Sequence, residues 1–413
     1  MELVLSSNFN IMNATRLKAY LGREGYRSIH KLFSLRPEEV LNEVKTSGLR
    51  GRGGAGFLTG VKWGFVPKNI GKPIYLCVNA DEGEPGTFKD RAILEKDPHR
   101  LIEGIIIASY AIGANAAFVY IRGEFYRPYK IFEEALVEAY QNKFLGKNIL
   151  GRGLDLDVYI HRGAGAYICG EETALISSIE GKRGYPKTRP PFPAVKGLFV
   201  RPTIVNNVET LAALPFIINN GGANYAATGT EKSKGTKLIS VAGHISKPGV
   251  YEIPLGLPLQ VFLNEYAGWV WKGRKLKAVI PGGSSTPVIT AEEASKLLLD
   301  YESLANVGTM LGSGGMIVMD ETTDMVEALK VLVDFYKHES CGQCTPCREG
   351  SSWIKKIMDK IVAGLATRED LNLIVDIADN MMGRTICVFA DALAMPVKSF
   401  ITKFRSEFEK KLV

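Results

Sequence analysis

Cys341, Cys344 and Cys347, at two-residue spacing, with Cys387 further along the chain, form the pattern most committed to chemistry. Thiols crowded in this way read as metal ligands, because packed structural cysteines have no reason to recur every third position. Three close donors plus one remote donor suit a cubane [4Fe–4S] cluster. Zinc is the alternative, with His338 as a competing ligand, although structural zinc usually takes two Cys-x-x-Cys pairs or adds histidine. Pro346 should fix the loop, and a helix is expected behind it from about Ser351. Cys77 and Cys169 lie in apolar surroundings and read as packed residues.

Three polar loops could hold a nucleotide. In Gly51-Arg52-Gly53-Gly54-Ala55-Gly56-Phe57 the glycines form G-x-G-x-x-G, and missing side chains would let backbone amides approach a phosphate. The preceding residues read as a helix end rather than the strand of a dinucleotide fingerprint, so a plain glycine turn is the competing reading. Arg50, Arg52 and Lys62 supply cations matching phosphate, and Phe57 and Phe65 supply stacking faces. In Asn79-Ala80-Asp81-Glu82-Gly83-Glu84 the carboxylates follow an apolar strand and should face a ligand crevice. They can accept from ribose hydroxyls or ring N–H groups, and they repel a 2′-phosphate, which favours NAD over NADP. From His161 to Thr173 a strand, a glycine loop and a helix follow in order, with Glu171 and Glu172 at the helix N-terminus.

Residues 181–201 carry Lys182, Arg183, Lys187, Arg189, Lys196 and Arg201 with no acid, interleaved with Tyr185, Phe192 and Phe199. Pro186, Pro190, Pro191 and Pro193 make this a rigid extended loop that could cover a nucleotide, contact a partner, bind nucleic acid or simply cross the surface. After it, Asn206, Asn207 and Thr210 form a polar cluster in a helical period, where amides can hold a phosphate without adding charge.

These residues need elements to place them. Residues 1–45 read as amphipathic helices forming an arm, with Pro37 opening one of them. From about residue 72 to 220, β-rich runs alternate with helical periods, which implies an α/β layer with a largely parallel sheet. Between 235 and 320 short strands with Gly and Pro turns suggest a small α+β domain, and from Thr323 four helical periods suggest a bundle. The 413 residues suffice for two or three such domains. A hydrophobic content of 46% excludes disorder, and a formal charge of +7 falls short of a dedicated nucleic-acid binder. Six cysteines are too few for a disulfide scaffold. No targeting segment or membrane span is evident, so a cytoplasmic location is expected.

The glycine loop, the Asn79–Glu84 turn, the Gly163–Thr173 loop and the cysteine pattern, in this order, closely resemble the NADH-binding flavoprotein subunit of respiratory complex I from about Leu35 onward. The resemblance implies a Rossmann-like flavin domain with the N-terminal arm (1–234), a ubiquitin-like β-grasp domain (235–322) and a C-terminal four-helix bundle holding [4Fe–4S] (323–413). It implies FMN held around Gly51, Arg52, Gly53, Gly54, Gly56, Lys62, Asn79, Asp81, Glu82, Gly170, Glu171, Asn206, Asn207 and Thr210. NADH would meet Phe57, Phe65 and Phe192 at its adenine and Glu84, Tyr167, Glu171 and Glu172 at its nicotinamide and ribose. No side-chain nucleophile or base is required; Glu82, Glu84 and Glu171 would orient the reactants. The implied partners are a thioredoxin-like [2Fe–2S] subunit and a large multi-cluster iron–sulfur subunit, on the inner face of the cell membrane. Diaphorase subunits of NAD-linked hydrogenases and formate dehydrogenases share the family, but often carry fused iron–sulfur modules for which this chain has no further cysteine cluster. A zinc-stabilised nucleic-acid-binding protein using residues 181–201 is the alternative of a different class.

Overall fold

The run Tyr-Leu-Cys-Val-Asn-Ala is buried at most of its positions, as a strand covered on both faces must be. In the computed structural model, which describes residues 2–67, 71 and 73–413, this run is β1 (Tyr75–Ala80). It pairs in parallel with β2 (Ala116–Ile121) and β4 (Thr203–Asn207), and β2 pairs in parallel with β3 (Asp157–Arg162), giving the order β3-β2-β1-β4. The crossovers are helices, among them Pro98–Ile112, Tyr126–Gln141 and Glu172–Ile179. Pro98–Ile112 is buried almost all round because it lies between the sheet and the N-terminal helices. The expected α/β layer is therefore present, with one local correction. Asn206 and Asn207 end strand β4, and the helix begins only at Val208, capped by the Asn207 side chain.

The N-terminal residues do not project as an arm. Val4, Leu5, Leu17, Tyr20, Tyr26, Ile29 and Leu32 join the same core as the parallel sheet. Glu103, buried in Pro98–Ile112, accepts from the backbone N–H of Tyr26 (3.0 Å) and Ser28 (3.2 Å) and from the hydroxyls of Tyr20 and Ser28. Four donors on one carboxylate offset the cost of burying it, and sequence periodicity cannot signal such a contact.

The middle unit is a mixed five-stranded sheet, β6-β5-β11-β8-β9. Its strands are β5 (Thr236–Gly243), β6 (Gly249–Pro254), β8 (Leu276–Ile280), β9 (Ile289–Thr290) and β11 (Gly315–Asp320); β7 (Leu257–Pro258) pairs separately with β10 (Leu298–Leu299). Only β5 and β11 run parallel. Glu252 of β6 accepts from the backbone N–H groups of Val4 (2.8 Å), Leu5 (3.0 Å) and Ser6 (2.8 Å), so the chain start also ties this sheet down.

Four helices follow: Met325–Glu339, Thr345–Val362, Arg368–Met381 and Phe389–Lys403, each packed on the next and the last against the first. The second begins six residues before the expected Ser351, because Pro346 is tolerated in a first turn that needs no N–H from it. Cys344 is thereby its N-cap and Cys347 lies in its first turn. The last helical period is broken at Phe404, after which a separate short helix, Arg405–Glu409, closes the chain.

Candidate functional site

The chain leaves β1 for β2 and β3 on one side and returns to β4 on the other. Strands whose connections depart in opposite directions leave a crevice outside their carboxyl ends. Asn79 and Asn207 are register partners at this point, so the Asn79–Glu84 turn and the Asn206–Thr210 segment form its two lips. On the first lip, Asn79 Nδ2 donates to the Gly170 carbonyl at 2.8 Å, and its Oδ1 accepts from the Asp81 N–H at 3.0 Å. This brings the glycine loop after β3 onto the same crevice. Asp81 Oδ2 is shut away from solvent and bonded to nothing, and burial pushes its carboxyl up to about 7.

Gly53 packs on the other lip: a Cβ there would stand 3.1 Å from Asn207 Cβ. Gly54, at φ +132°, has no atom within 4 Å of where a Cβ would point, so a side chain would enter the open crevice. Thr210 Oγ1 accepts the Arg52 N–H at 2.9 Å and holds the loop from below. Lys62 Nζ donates to the Val205 carbonyl (3.0 Å) and to Glu172 (2.9 Å), linking the loop's helix to the third loop. Asn206 is turned away from the crevice mouth and accepts the Trp63 indole N–H at 2.8 Å.

Two cations expected to meet phosphate do not. The Arg52 guanidinium points inward, donating to the Tyr225 hydroxyl (3.0 Å) and the Lys234 carbonyl (2.8 Å). Arg50 lies over the Tyr301 ring at 3.9 Å and pairs with Glu302 at 2.6 Å. Arg50 thus anchors the loop to the middle unit, as Arg52 does through the Tyr301 hydroxyl at 3.3 Å, and the loop's backbone and Lys62 are what remain for a ligand. Glu82 is likewise engaged elsewhere: its carboxylate accepts the N–H groups of Asp90 (2.8 Å) and Arg91 (2.9 Å) at a helix start. Burial and the Asp90 carboxylate push it up nonetheless.

Glu171 caps the helix Glu172–Ile179, accepting from Thr173 N (2.8 Å) and Ala174 N (2.9 Å). Arg189, from the basic run, reaches Glu172 at 2.9 Å and Glu171 at 3.4 Å. Lys182 and Lys187 pair with Glu180. Three of the run's six cations are thus satisfied within the chain, which shrinks the surface it can offer to an anionic partner.

Phe57 and Phe65 are 51% and 55% exposed with ring centroids 6.1 Å apart, an open aromatic pair beside the glycine loop. Phe192 is equally exposed at 57%, but among the described residues it makes no ring contact with them. Glu84 and Tyr167 meet directly, the Tyr167 hydroxyl donating to Glu84 Oε2 at 2.5 Å. Burial raises the Glu84 carboxyl. Its other oxygen accepts from Ser285 N (2.7 Å) and the Ser284 hydroxyl (3.2 Å), a contribution of the middle unit that sequence reasoning missed. The only signal was the Gly282-Gly283-Ser284-Ser285 turn after a strand.

The Tyr167 ring packs edge-on against Phe335, Tyr336 and Phe389, and its N–H donates to Glu339 at 3.1 Å, two residues before Cys341. Crevice and cysteines therefore share a wall. Ser340 Oγ lies 3.2 Å from Cys347 Sγ, and the Ile386 N–H points at Cys344 Sγ from 3.5 Å, which brings the remote loop with Cys387 to the run. Among the described residues no three His, Cys, Asp or Glu side chains converge as ligands of one ion. Four thiols from two loops, without histidine, are the donor set of an iron–sulfur cluster. Cys77 and Cys169 are buried as packing residues in the core against which the cysteine loops pack.

The Nuo51 FMN-binding domain family matches residues 44–215, the SLBB domain 237–318 and the NADH-ubiquinone oxidoreductase-F iron-sulfur binding region 327–411. The second NADH-quinone oxidoreductase F subunit of Rhizobium meliloti is 50% identical over 408 residues, 98% of this chain and 97% of its own. The chain belongs to the family of NADH-quinone oxidoreductase F subunits. The family member from Rickettsia typhi is similarly 50% identical, over 90% of this chain and 89% of its own. Among solved structures, an NAD+-reducing [NiFe]-hydrogenase in the H2-reduced state superposes with a TM-score of 0.84 at 39% identity over 92% of this chain. This chain spans only 64% of that one. FMN and a [4Fe–4S] cluster are the cofactors of the family, and the crevice and the four thiols fit them. The zinc and nucleic-acid reading is thereby displaced. No helix among the described residues is long and apolar enough to cross a membrane.

Proposed function

We propose that the crevice at the β1/β4 switch point seats FMN and that NADH enters over it between Phe57, Phe65 and Phe192. The protein oxidises NADH and passes the electrons to its [4Fe–4S] cluster, as the electron-entry subunit of an NADH-quinone oxidoreductase. When bound, FMN accepts a hydride from NADH and releases electrons one at a time to the cluster.

The chain's own residues orient and insulate. The Gly53–Gly54 backbone and Lys62 receive the flavin phosphate, Asn79 holds the Gly170 loop against the crevice, and Asp81 Oδ2 meets the polar edge of the ring. Phe57 and Phe65 stack the adenine. Glu84, fixed by Tyr167 and Ser285, and the Glu171–Glu172 pair line the ribose and nicotinamide end. Fixing the nicotinamide over the ring converts the transfer into an effectively unimolecular step. No residue has to move a proton to or from substrate.

The observation that carries this reading is the wall shared by crevice and cysteines: Tyr167 touches Glu84 through its hydroxyl and, through its ring and N–H, the helices that flank the cysteine loops. We read the middle unit as a ubiquitin-like β-grasp domain and the last four helices as a four-helix bundle. We assign the next acceptors to a thioredoxin-like [2Fe–2S] subunit and a larger iron–sulfur subunit, with the assembly on the cytoplasmic face of the membrane. The test is NADH-dependent ferricyanide reduction by the purified chain, which should track FMN content. Turnover by protein stripped of flavin would overturn the reading. The hydrogenase neighbour favours a second reading, a diaphorase subunit, which copurification with a nickel-containing subunit would establish.

A further inference from the structure

Behind the crevice lies a knot of charge that the reaction does not use. Lys89, 1% exposed in the first turn of the helix Lys89–Lys96, donates to Asp90 Oδ1 at 2.7 Å and Asn207 Oδ1 at 3.3 Å, and it lies 3.1 Å from Glu209 Oε2. Glu209 is 0% exposed; the same oxygen accepts from Lys237 of β5 at 2.6 Å, and its other oxygen accepts the Leu238 N–H at 2.8 Å. Charges buried this completely return little net stability for their desolvation, whereas they fix geometry tightly.

The geometry fixed is the Asn207 amide. Its Oδ1 accepts from the Glu209 N–H (3.0 Å) and from Lys89, and its Nδ2 donates to Asp90 Oδ2 (2.6 Å). Turned end for end, the amide would set its NH2 against an ammonium and its oxygen against a carboxylate. Counting the Glu209 N–H, which would also face the NH2, three repulsions would replace three hydrogen bonds. Asn207 also borders Gly53, where a Cβ would stand 3.1 Å from Asn207 Cβ and 3.7 Å from Nδ2, so the fixed amide presents its NH2 to the glycine loop.

We propose that Lys89, acting with Asp90, is a positioning residue of the flavin site, locking the Asn207 amide that borders the glycine loop. This rests on the reading that Asn207 and that loop hold FMN. The experiment uses the full chain with its cluster, stripped of FMN and titrated back, with the dissociation constant read from quenching of flavin fluorescence. Asn207→Ala should weaken FMN by roughly tenfold. The paired replacement Lys89→Met/Asp90→Leu swaps the ion pair for apolar volume and leaves Glu209 paired with Lys237, so the fold should persist with unchanged iron content. It too should weaken FMN roughly tenfold, and adding Asn207→Ala should weaken it no further, because both act through one amide. Lys89→Arg, keeping a cationic donor, should restore most of the affinity. Unchanged affinity in Asn207→Ala refutes the placement of FMN. A weakened Asn207→Ala with an unaffected or fully additive paired replacement refutes the role of Lys89 alone. Should the paired replacement lose its iron, Lys89→Gln, which keeps a neutral donor, decides by the same additivity criterion.

Discussion

The flavin crevice and the cysteine site are built by opposite means. The cysteine site is local: three ligands fall within seven consecutive residues at the start of one helix, and the fourth arrives on one loop. The crevice is assembled from the ends of β1 and β4, the glycine loop, the loop after β3, and carboxylate-binding serines from the middle unit. A local site depends on its ligands, whereas an assembled one depends on residues that never touch a ligand. The two should therefore fail separately and for different reasons.

The largest break in this contrast is Cys344→Ala. It should abolish the iron–sulfur absorbance while FMN content and NADH-dependent ferricyanide reduction persist; loss of both cofactors would mean the sites are not separable. Next is Glu209→Ala, which strands Lys237 in the interior and leaves Lys89 with Asp90 as its one carboxylate. Breaking a buried pair in this way costs about 3–5 kcal/mol, to be read from urea unfolding, and should loosen FMN before it disturbs the cysteines.

Asp81 gives a pH signature of the empty crevice. An unfolded aspartate loses its proton near about pH 3.9, whereas the folded one keeps it to about 7. Across that interval the folded state holds the extra proton, so stability falls as pH rises and is level above it. The loss should be on the order of 2–4 kcal/mol, and Asp81→Asn should make the flavin-free Tm profile shallower, leaving the share of Glu82, while weakening FMN. The smallest effect concerns selectivity. Glu172→Ala removes a carboxylate already shared by Lys62 and Arg189, so NADPH should gain on NADH by only a few-fold in kcat/KM. An unchanged ratio would remove Glu172 from the ribose subsite.

The same contrast explains how much could be read from the sequence. The cysteine pattern stands out because it lies in spacing alone, and the parallel sheet was legible because both-faces burial leaves apolar runs. The directions of the Arg50, Arg52 and Glu82 side chains were not legible, because residue type announces a charge but not where it points. Arg52 turns to Tyr225 and Lys234, far along the chain, and Glu82 turns to the amides of Asp90 and Arg91. The N-terminal helices looked like an arm because Glu103, which receives them, lies in an otherwise apolar helix. Lys89, Glu209 and Lys237 carried no motif at all; only the fold brings them together.

One chain should carry the hydride acceptor and the first electron acceptor side by side. Anaerobic addition of NADH to the purified chain, followed by visible absorbance and electron paramagnetic resonance, tests it directly. The flavin band should bleach and a reduced iron–sulfur signal should appear together in wild type, with Cys344→Ala showing only the bleaching. A flavin that bleaches in wild type while its cluster stays oxidised at a potential NADH can reach would contradict the account.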